Sequence, residues 1–292
     1  MLTEQRNPRS MHIDRASTLE ILQTMNDEDA AVVGAVRQAL PDIAQAVDAI
    51  VERFQHEGRL IYVGAGTSGR LAVLDAAEAP PTFSTPPDMI QAIIAGGEAA
   101  LTRAVEGAED DWQAGFDAIR GRNIGESDAV VGIAASGRTP FVLGALQAAN
   151  EAGAVTIGLA CNAPSPLLDM ARIQIAALVG PEVIAGSTRL KAGTAQKMIL
   201  NMLSTASMIR LGKVYRNLMV DVKVSNEKLA ARARRIVAEV TGVNEDEAGR
   251  LLAQCQNEVK TAIATYLLHM TPDEARAALA RAGGRLGDVI DE

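Results

Sequence analysis

The chain has 292 residues, with 28 basic against 36 acidic side chains and a formal net charge of -8. With no long basic run, this balance gives no support to a nucleic-acid or anionic-membrane surface and points to a small ligand. Cys161 and Cys255 form no disulfide framework, and His12, His56 and His269 are scattered, so a reducing compartment and no structural metal are expected.

The length suits one large domain with a smaller appendage. The first residues, MLTEQRNPRSMHIDRAS, are polar and lack the apolar core of a signal peptide. No segment approaches the roughly 18 apolar residues of a membrane span. A cytoplasmic protein is expected.

In chain order, residues 1–55 read as an extended polar arm followed by helices over STLEILQTMNDED and VVGAVRQALPDIAQAVDAIVERFQ, where apolar residues recur three and four apart. From residue 59 the pattern changes. RLIYVGA, MIQAIIAG, DAVVGIAAS, AVTIGLAC and IQIAALVG are β-rich and nearly continuously apolar, as strands covered on both faces are. Helical patterns separate them, among them EAALTRAVEGAEDDWQAGFDAIRG and TPFVLGALQAANEAG. This alternation predicts an α/β fold, a doubly wound five-stranded parallel sheet, with ligands at the carboxyl ends of the strands. A long helical pattern, STRLKAGTAQKMILNMLSTASMIRLG, follows the fifth strand, its methionines spaced as on a buried face. After NLMVDVKVSNEKLAARARRIVAEVTG come three short amphipathic helices, punctuated at TGVNEDEA, HMTPDEA and RAGGRLG. The expected domains are residues 1–55, the arm and helices packing on the sheet domain; 56–235, the sheet domain; and 236–292, a small helical bundle.

Two loops carry the chemistry. GAGTSGR, Gly64 to Arg70, follows the first strand. Its glycines allow a tight turn with N–H groups turned outward, the next helix adds the positive end of its dipole, and Thr67 and Ser68 add hydroxyls. Gly64, Gly66 and Gly69 also satisfy the dinucleotide pattern, a weak signal alone. The acidic residue a dinucleotide site expects would fall near STPPD, before a strand rather than at its end. AASGRTP, Ala134 to Pro140, follows the third strand with Ser136, Thr139 and a proline suited to a helix's first turn. Two such loops at one sheet edge suit a phosphomonoester. Arg138 is either a further phosphate ligand or a solvated surface arginine.

GAGTSGRL, AASGRTP and STRLKAGTAQK resemble the SIS (sugar isomerase) domain, with its flavodoxin-like sheet. IDRASTLEIL, MNDED, DAAEAPP, AVEGAED, KAGTAQK, NLMVDV and NEKL further resemble the N-acetylmuramic acid 6-phosphate etherase family, from about residue 12 to the C-terminal bundle. The resemblance implies a lyase of peptidoglycan recycling and amino sugar catabolism. Such an enzyme converts N-acetylmuramic acid 6-phosphate to N-acetylglucosamine 6-phosphate and D-lactate, by elimination across C2 and C3 and then addition of water, with no metal or other cofactor. It also implies phosphate binding by Ser68, Ser136 and Thr139, with Thr67 beside them in the substrate site, a UBA-like C-terminal bundle, and a homodimer with its site near the subunit contact, to which helices around 30–55 and 195–211 contribute. Glu78 and Glu109 align with the family's two functional glutamates and are assigned as acid and base. For the acid role, Glu78 reads as the end of a helix stopped by Pro80 and Pro81, where a charge opposes the dipole. Spacing alone does not single out Glu109 from Glu106, Asp110 or Asp111. Lys191 either steadies substrate or merely reaches solvent, and Glu182 and Ser187 lie on the same approach. Trp112 and His12 read as packing residues. Two other functions share these loops: a sugar-phosphate isomerase, which needs no second acid, and a non-catalytic sensor of the glucokinase-regulator type, which needs neither glutamate. No basic helix-turn-helix segment supports a transcription regulator.

Overall fold

The computed structural model describes residues 1–291. These residues pack as two compact units, residues 1–77 with 88–204, and residues 78–87 with 205–291; the chain crosses between them three times, twice within helices.

In the first unit, the N-terminal segment forms three short 3-10 turns rather than a free extended arm. Thr3 is fully buried, its N–H donating to Asn162 and its carbonyl accepting from Gly186 N–H. Helix α1 (Thr18–Gln38) starts at a capping box, in which Ser17 and Glu20 satisfy each other's backbone N–H groups. It ends at Ala39, and α2 (Leu40–Gln55) begins there with Pro41 in its first turn. The sequence pattern ran one helix through Pro41. Proline lacks the N–H for an i−4 bond and crowds that carbonyl, so the break falls at Ala39.

Among the described residues, five parallel strands form one sheet: β1 (Leu60–Gly64), β2 (Ile90–Ile94), β3 (Ala129–Ile133), β4 (Val155–Ala160) and β5 (Ile173–Ala176), in the order β2-β1-β3-β4-β5. The central strands β1, β3 and β4 are buried at every position, whereas β2 and β5 at the edges are not. Central strands covered on both faces need unbroken apolar runs, which is why these segments stood out. The covering helices are α3 (Gly66–Phe83), α4 (Trp112–Arg120), α5 (Pro140–Glu151), the short α6 (Pro166–Met170) and α7 (Lys191–Arg210). Val63, Val130, Val142, Leu146 and Leu167 meet in one apolar cluster. Burying each such side chain contributes about 1.5–3 kcal/mol.

Residues 98–121 were expected as one helix. They form a 3-10 turn at Gly97–Leu101, a loop, a second 3-10 turn at Ala108–Asp110, and then α4. Gly107, with φ +74°, breaks the helical path, and Asp111 restarts it by accepting from Ala114 N–H. Trp112 stacks on Phe116, ring centroids 5.1 Å apart. His12 is exposed rather than packed.

The second unit contains α8 (Glu227–Thr241), α9 (Glu245–Gln254), α10 (Val259–Leu267), α11 (Pro272–Arg281) and α12 (Gly287–Ile290). Ala233, Ile236 and Val237 of α8 share a buried cluster with Leu252, Ile263 and Leu279. The compact unit takes in residues 205–291 together with residues 78–87.

Candidate active site

β1 and β3 are neighbours, and Gly64 is level with Ile133. The loops that follow therefore leave the sheet side by side. From β1 the chain turns outward to β2 and returns to β3 on the other side, so the crevice between these loops is the switch point where open parallel sheets bind ligands.

The first loop enters α3 at Gly66, whose φ of +53° is a left-handed conformation that glycine adopts without strain. Further along α3, Asp75 fastens the helix. Its carboxylate accepts from Tyr62 Oη at 3.0 Å, Asn201 Nδ2 at 2.7 Å and Ser204 Oγ at 3.1 Å. Burial raises its pKa against the pull of those donors, and burial beside Asp75 pushes the Tyr62 hydroxyl well above 10.0. At the loop itself, Ser68 is buried and its Oγ donates to Gln196 Oε1 of α7 at 2.8 Å.

The second loop is held by its own turn and by the segment after β4, where Cys161 N–H and Asn162 Nδ2 donate to Ala135 O. Ser136 Oγ accepts from Arg138 N–H, Gly137 N–H donates to Ala134 O, and Gly137 O accepts from Leu167 N–H. Gly137 has φ +67°, and a Cβ there would stand 2.3 Å from Ser165 Oγ. Thr139 precedes α5 without a side-chain cap, and Pro140 occupies the first turn. The helix start is thus left open to an anion.

Thr67, Ser68, Ser136, Arg138, Thr139 and Glu109 line one cleft of about 440 Å³, together with Glu4, Asp110 and Thr188. Arg138 is exposed and is the cationic side chain of that lining, set against the carboxylates Glu4, Glu109 and Asp110. An anion seated between the loops meets hydroxyls and helix-start amides more than positive charge. Glu4 and Thr188 carried no signal in sequence; only the pinned N-terminal turns and the approach to α7 bring them here. Glu109 sits in a 3-10 turn, not on a helix face, and is exposed.

Glu78 and Lys191 are outside this lining. Glu78 is an exposed residue of the second unit, and α3 continues past it through Pro80 and Pro81 to Phe83. Proline's φ of about −65° is itself helical, so the helix persists although Ala76 and Ala77 lose their bonding partners. Glu78 is therefore not at the helix end, and the dipole argument for its role falls away.

Lys191 is only 2% exposed, and its Nζ donates to Glu28 Oε2 at 2.6 Å. It neither faces the cleft nor reaches solvent, because a buried ammonium is tolerated only when paired. Glu182, fully buried, accepts from the N–H groups of Lys191 and Ala192 with its two oxygens and so caps α7. Ser187 lies in the preceding turn, its N–H donating to Ile184 O. Burial, with Glu182 nearby, pushes the Cys161 thiol up to about 12, which removes it as a thiolate nucleophile. Both cysteines are free and buried. Among the described residues no group of three or more His, Cys, Asp or Glu side chains could hold a metal ion, and no helix is long and apolar enough to cross a membrane.

Fold and cleft together define a SIS-domain protein. Residues 117–206 match the SIS domain, residues 42–150 the glucokinase regulatory protein N-terminal SIS domain, and residues 216–267 the C-terminal lid domain of glucokinase regulatory protein. Among solved structures, a phosphoheptose isomerase from Francisella tularensis shares the fold at 20% identity and a TM-score of 0.51, over 64% of this chain and 98% of that one. Much nearer in sequence are N-acetylmuramic acid 6-phosphate etherases. That of Brucella anthropi is 56% identical over 100% of this chain and 95% of its own length, and that of Pasteurella multocida 54% identical over 99% and 96%. The chain belongs to the N-acetylmuramic acid 6-phosphate etherase family.

Proposed function

We propose that this chain cleaves the lactyl ether of N-acetylmuramic acid 6-phosphate, releasing D-lactate and N-acetylglucosamine 6-phosphate, in the recycling of peptidoglycan sugars. The observation that carries the reading is identity of 56% across the whole chain to a relative of that name. The cleft supports it: two hydroxyl-bearing loops at a sheet switch point, with a carboxylate, Glu109, in the same lining.

The 6-phosphate sits between Thr67 and Ser68 on one side and Ser136 and Thr139 on the other, with Arg138 at the rim. In the open-chain sugar the aldehyde acidifies the C2 proton. Glu109 removes that proton as base, the C3 oxygen departs with a proton from Glu78, and water then adds at C3. Each proton transfer of this kind contributes typically 10²–10⁴-fold. The assignment of Glu78 rests on its motif, DAAEAPP, and not on a distance. No step calls for a metal or other cofactor.

The protein is further proposed to be a cytoplasmic homodimer. Val33 and Leu40 are exposed apolar residues on α1 and α2, within the segment expected at the contact. The chain's domains are proposed as residues 1–55, an arm and helices packing on the sheet domain; 56–235, the sheet domain; and 236–292, a small helical bundle.

The test is D-lactate release on mixing the full chain with N-acetylmuramic acid 6-phosphate, chelator present and nucleotide absent. Lactate and N-acetylglucosamine 6-phosphate in equal amounts are expected. Tight binding without release would overturn the reading in favour of a sensor, and an aldose–ketose interconversion without lactate in favour of an isomerase.

A further inference from the structure

Gln196 lies on α7 and is 1% exposed. Its Oε1 accepts from Ser68 Oγ at 2.8 Å, while its Nε2 is buried with no hydrogen-bond partner among the described residues. Buried polar atoms are almost always paired, so an orphaned amide nitrogen beside a cleft calls for an explanation.

The arithmetic of hydrogens supplies one. A serine hydroxyl has a single hydrogen, and a glutamine amide presents an acceptor on one side and donors on the other. As the groups stand, the Ser68 hydrogen is directed to Gln196, so Ser68 offers the cleft only lone pairs. An ionised phosphoryl oxygen is an acceptor and has no hydrogen to meet them. Turning the Gln196 amide about its last bond places Nε2 against Ser68 Oγ. The amide N–H then donates to Oγ, and the serine hydrogen is released toward the cleft. The outline of the side chain is unchanged. The orphaned atom becomes a carbonyl oxygen, which tolerates burial unpaired better than an N–H does.

We propose that Gln196 is a positioning residue for anion binding, a two-way relay that turns its amide when an acceptor-only oxyanion reaches the loop after β1, so that Nε2 donates to Ser68 and Ser68 donates to the anion. In the resting position Ser68 can accept from a ligand hydroxyl; in the turned position it can serve a fully ionised phosphomonoester. The relay rests on the reading of the cleft as a phosphate seat.

The experiment titrates the full chain with N-acetylglucosamine 6-phosphate while following the side-chain amide resonances of ¹⁵N-glutamine-labelled protein, alongside calorimetric affinities of Gln196→Glu, Ser68→Ala and the double variant. On saturation one Gln196 Nε2 proton is expected to move downfield as it gains a partner, a change lost in Ser68→Ala. Gln196→Glu, which can only accept when ionised, is expected to bind about ten-fold more weakly. Most of that loss should vanish when Ser68 is already alanine. A simple charge repulsion would instead be the same in both backgrounds and would overturn the relay, as would an unmoved amide resonance in the saturated wild type, a result that needs no variant to fold. A wild type that fails to bind the sugar phosphate at all would overturn the reading of the cleft itself.

Discussion

The loop after β1 and the loop after β3 carry similar residues, Thr67 and Ser68 in one, Ser136 and Thr139 in the other, yet different parts of the chain hold them. The second loop closes partly on itself, through bonds from Arg138 N–H to Ser136 Oγ and from Gly137 N–H to Ala134 O, and partly on the segment after β4, where Cys161 N–H and Asn162 Nδ2 donate to Ala135 O and Leu167 N–H donates to Gly137 O. The first depends on distant groups. Ser68 bonds Gln196 of α7, and the start of α7 is in turn fixed by Glu182 and by the Glu28–Lys191 pair. One loop thus leans on its own turn and on the chain after β4, the other on α7 and, through it, on α1.

Four changes would break or sharpen this contrast. Glu109→Gln alters none of the hydrogen bonds that hold either loop and should lower kcat/KM by about 10²–10⁴-fold while leaving the affinity for N-acetylglucosamine 6-phosphate near that of the wild type. A parallel loss of affinity would place Glu109 in the seat rather than in proton transfer. Lys191→Met leaves the Glu28 carboxylate buried beside Asn7 without its ammonium and should cost about 3–5 kcal/mol in urea unfolding. Replacing Glu28 by leucine in the same chain should recover part of that cost. Gly137→Ala forces a Cβ toward Ser165 Oγ, 2.3 Å away, and should displace the second loop alone, for a loss of about 10² in kcat/KM with the first loop's share of binding intact.

The smallest effect is on pH dependence. Burial alone would raise the Glu28 carboxyl, but bonds from Lys191 and Asn7 and the charges of Lys191 and Arg9 outweigh it and hold the group below its ordinary 4.5. A lowered folded-state value means the contribution is complete above that ordinary value and is lost as pH falls through the lower one. The urea midpoint of the wild type should fall on acidification below pH 4.5, and Glu28→Gln should flatten that limb. An unchanged slope would remove the pair from the account of how α7 is seated.

Much of the fold was legible because its signals are local. The runs that became β1, β3 and β4 are apolar throughout since both their faces are covered, and both loops announce themselves by small residues at strand ends. Where proline decided an element, the reading went astray in both directions: Pro41 begins a helix that seemed continuous, and Pro80 and Pro81 sit inside one that seemed to stop. Gly107 broke a helix whose charge pattern looked unbroken. The residues least legible were those whose partners lie far off in the chain. Nothing around Lys191 signals Glu28, 163 positions away, or around Ser68 its bond to Gln196, 128 positions on. Glu182 could be noticed but not placed, because a helix cap supplied from outside the local turn leaves no spacing to recognise.

That cap has a bearing on what α7 offers a ligand. Helices α3, α5 and α7 all begin near the cleft, but the start of α7 already holds an anion of the protein's own, the two oxygens of Glu182 on the N–H groups of Lys191 and Ala192. A visiting phosphoryl group finds α3 and α5 open, while a second one reaching for α7 would have to evict a buried carboxylate. On the proposed reading of the cleft, α7 therefore contributes through a side chain, the bond of Gln196 to Ser68, and not through its dipole.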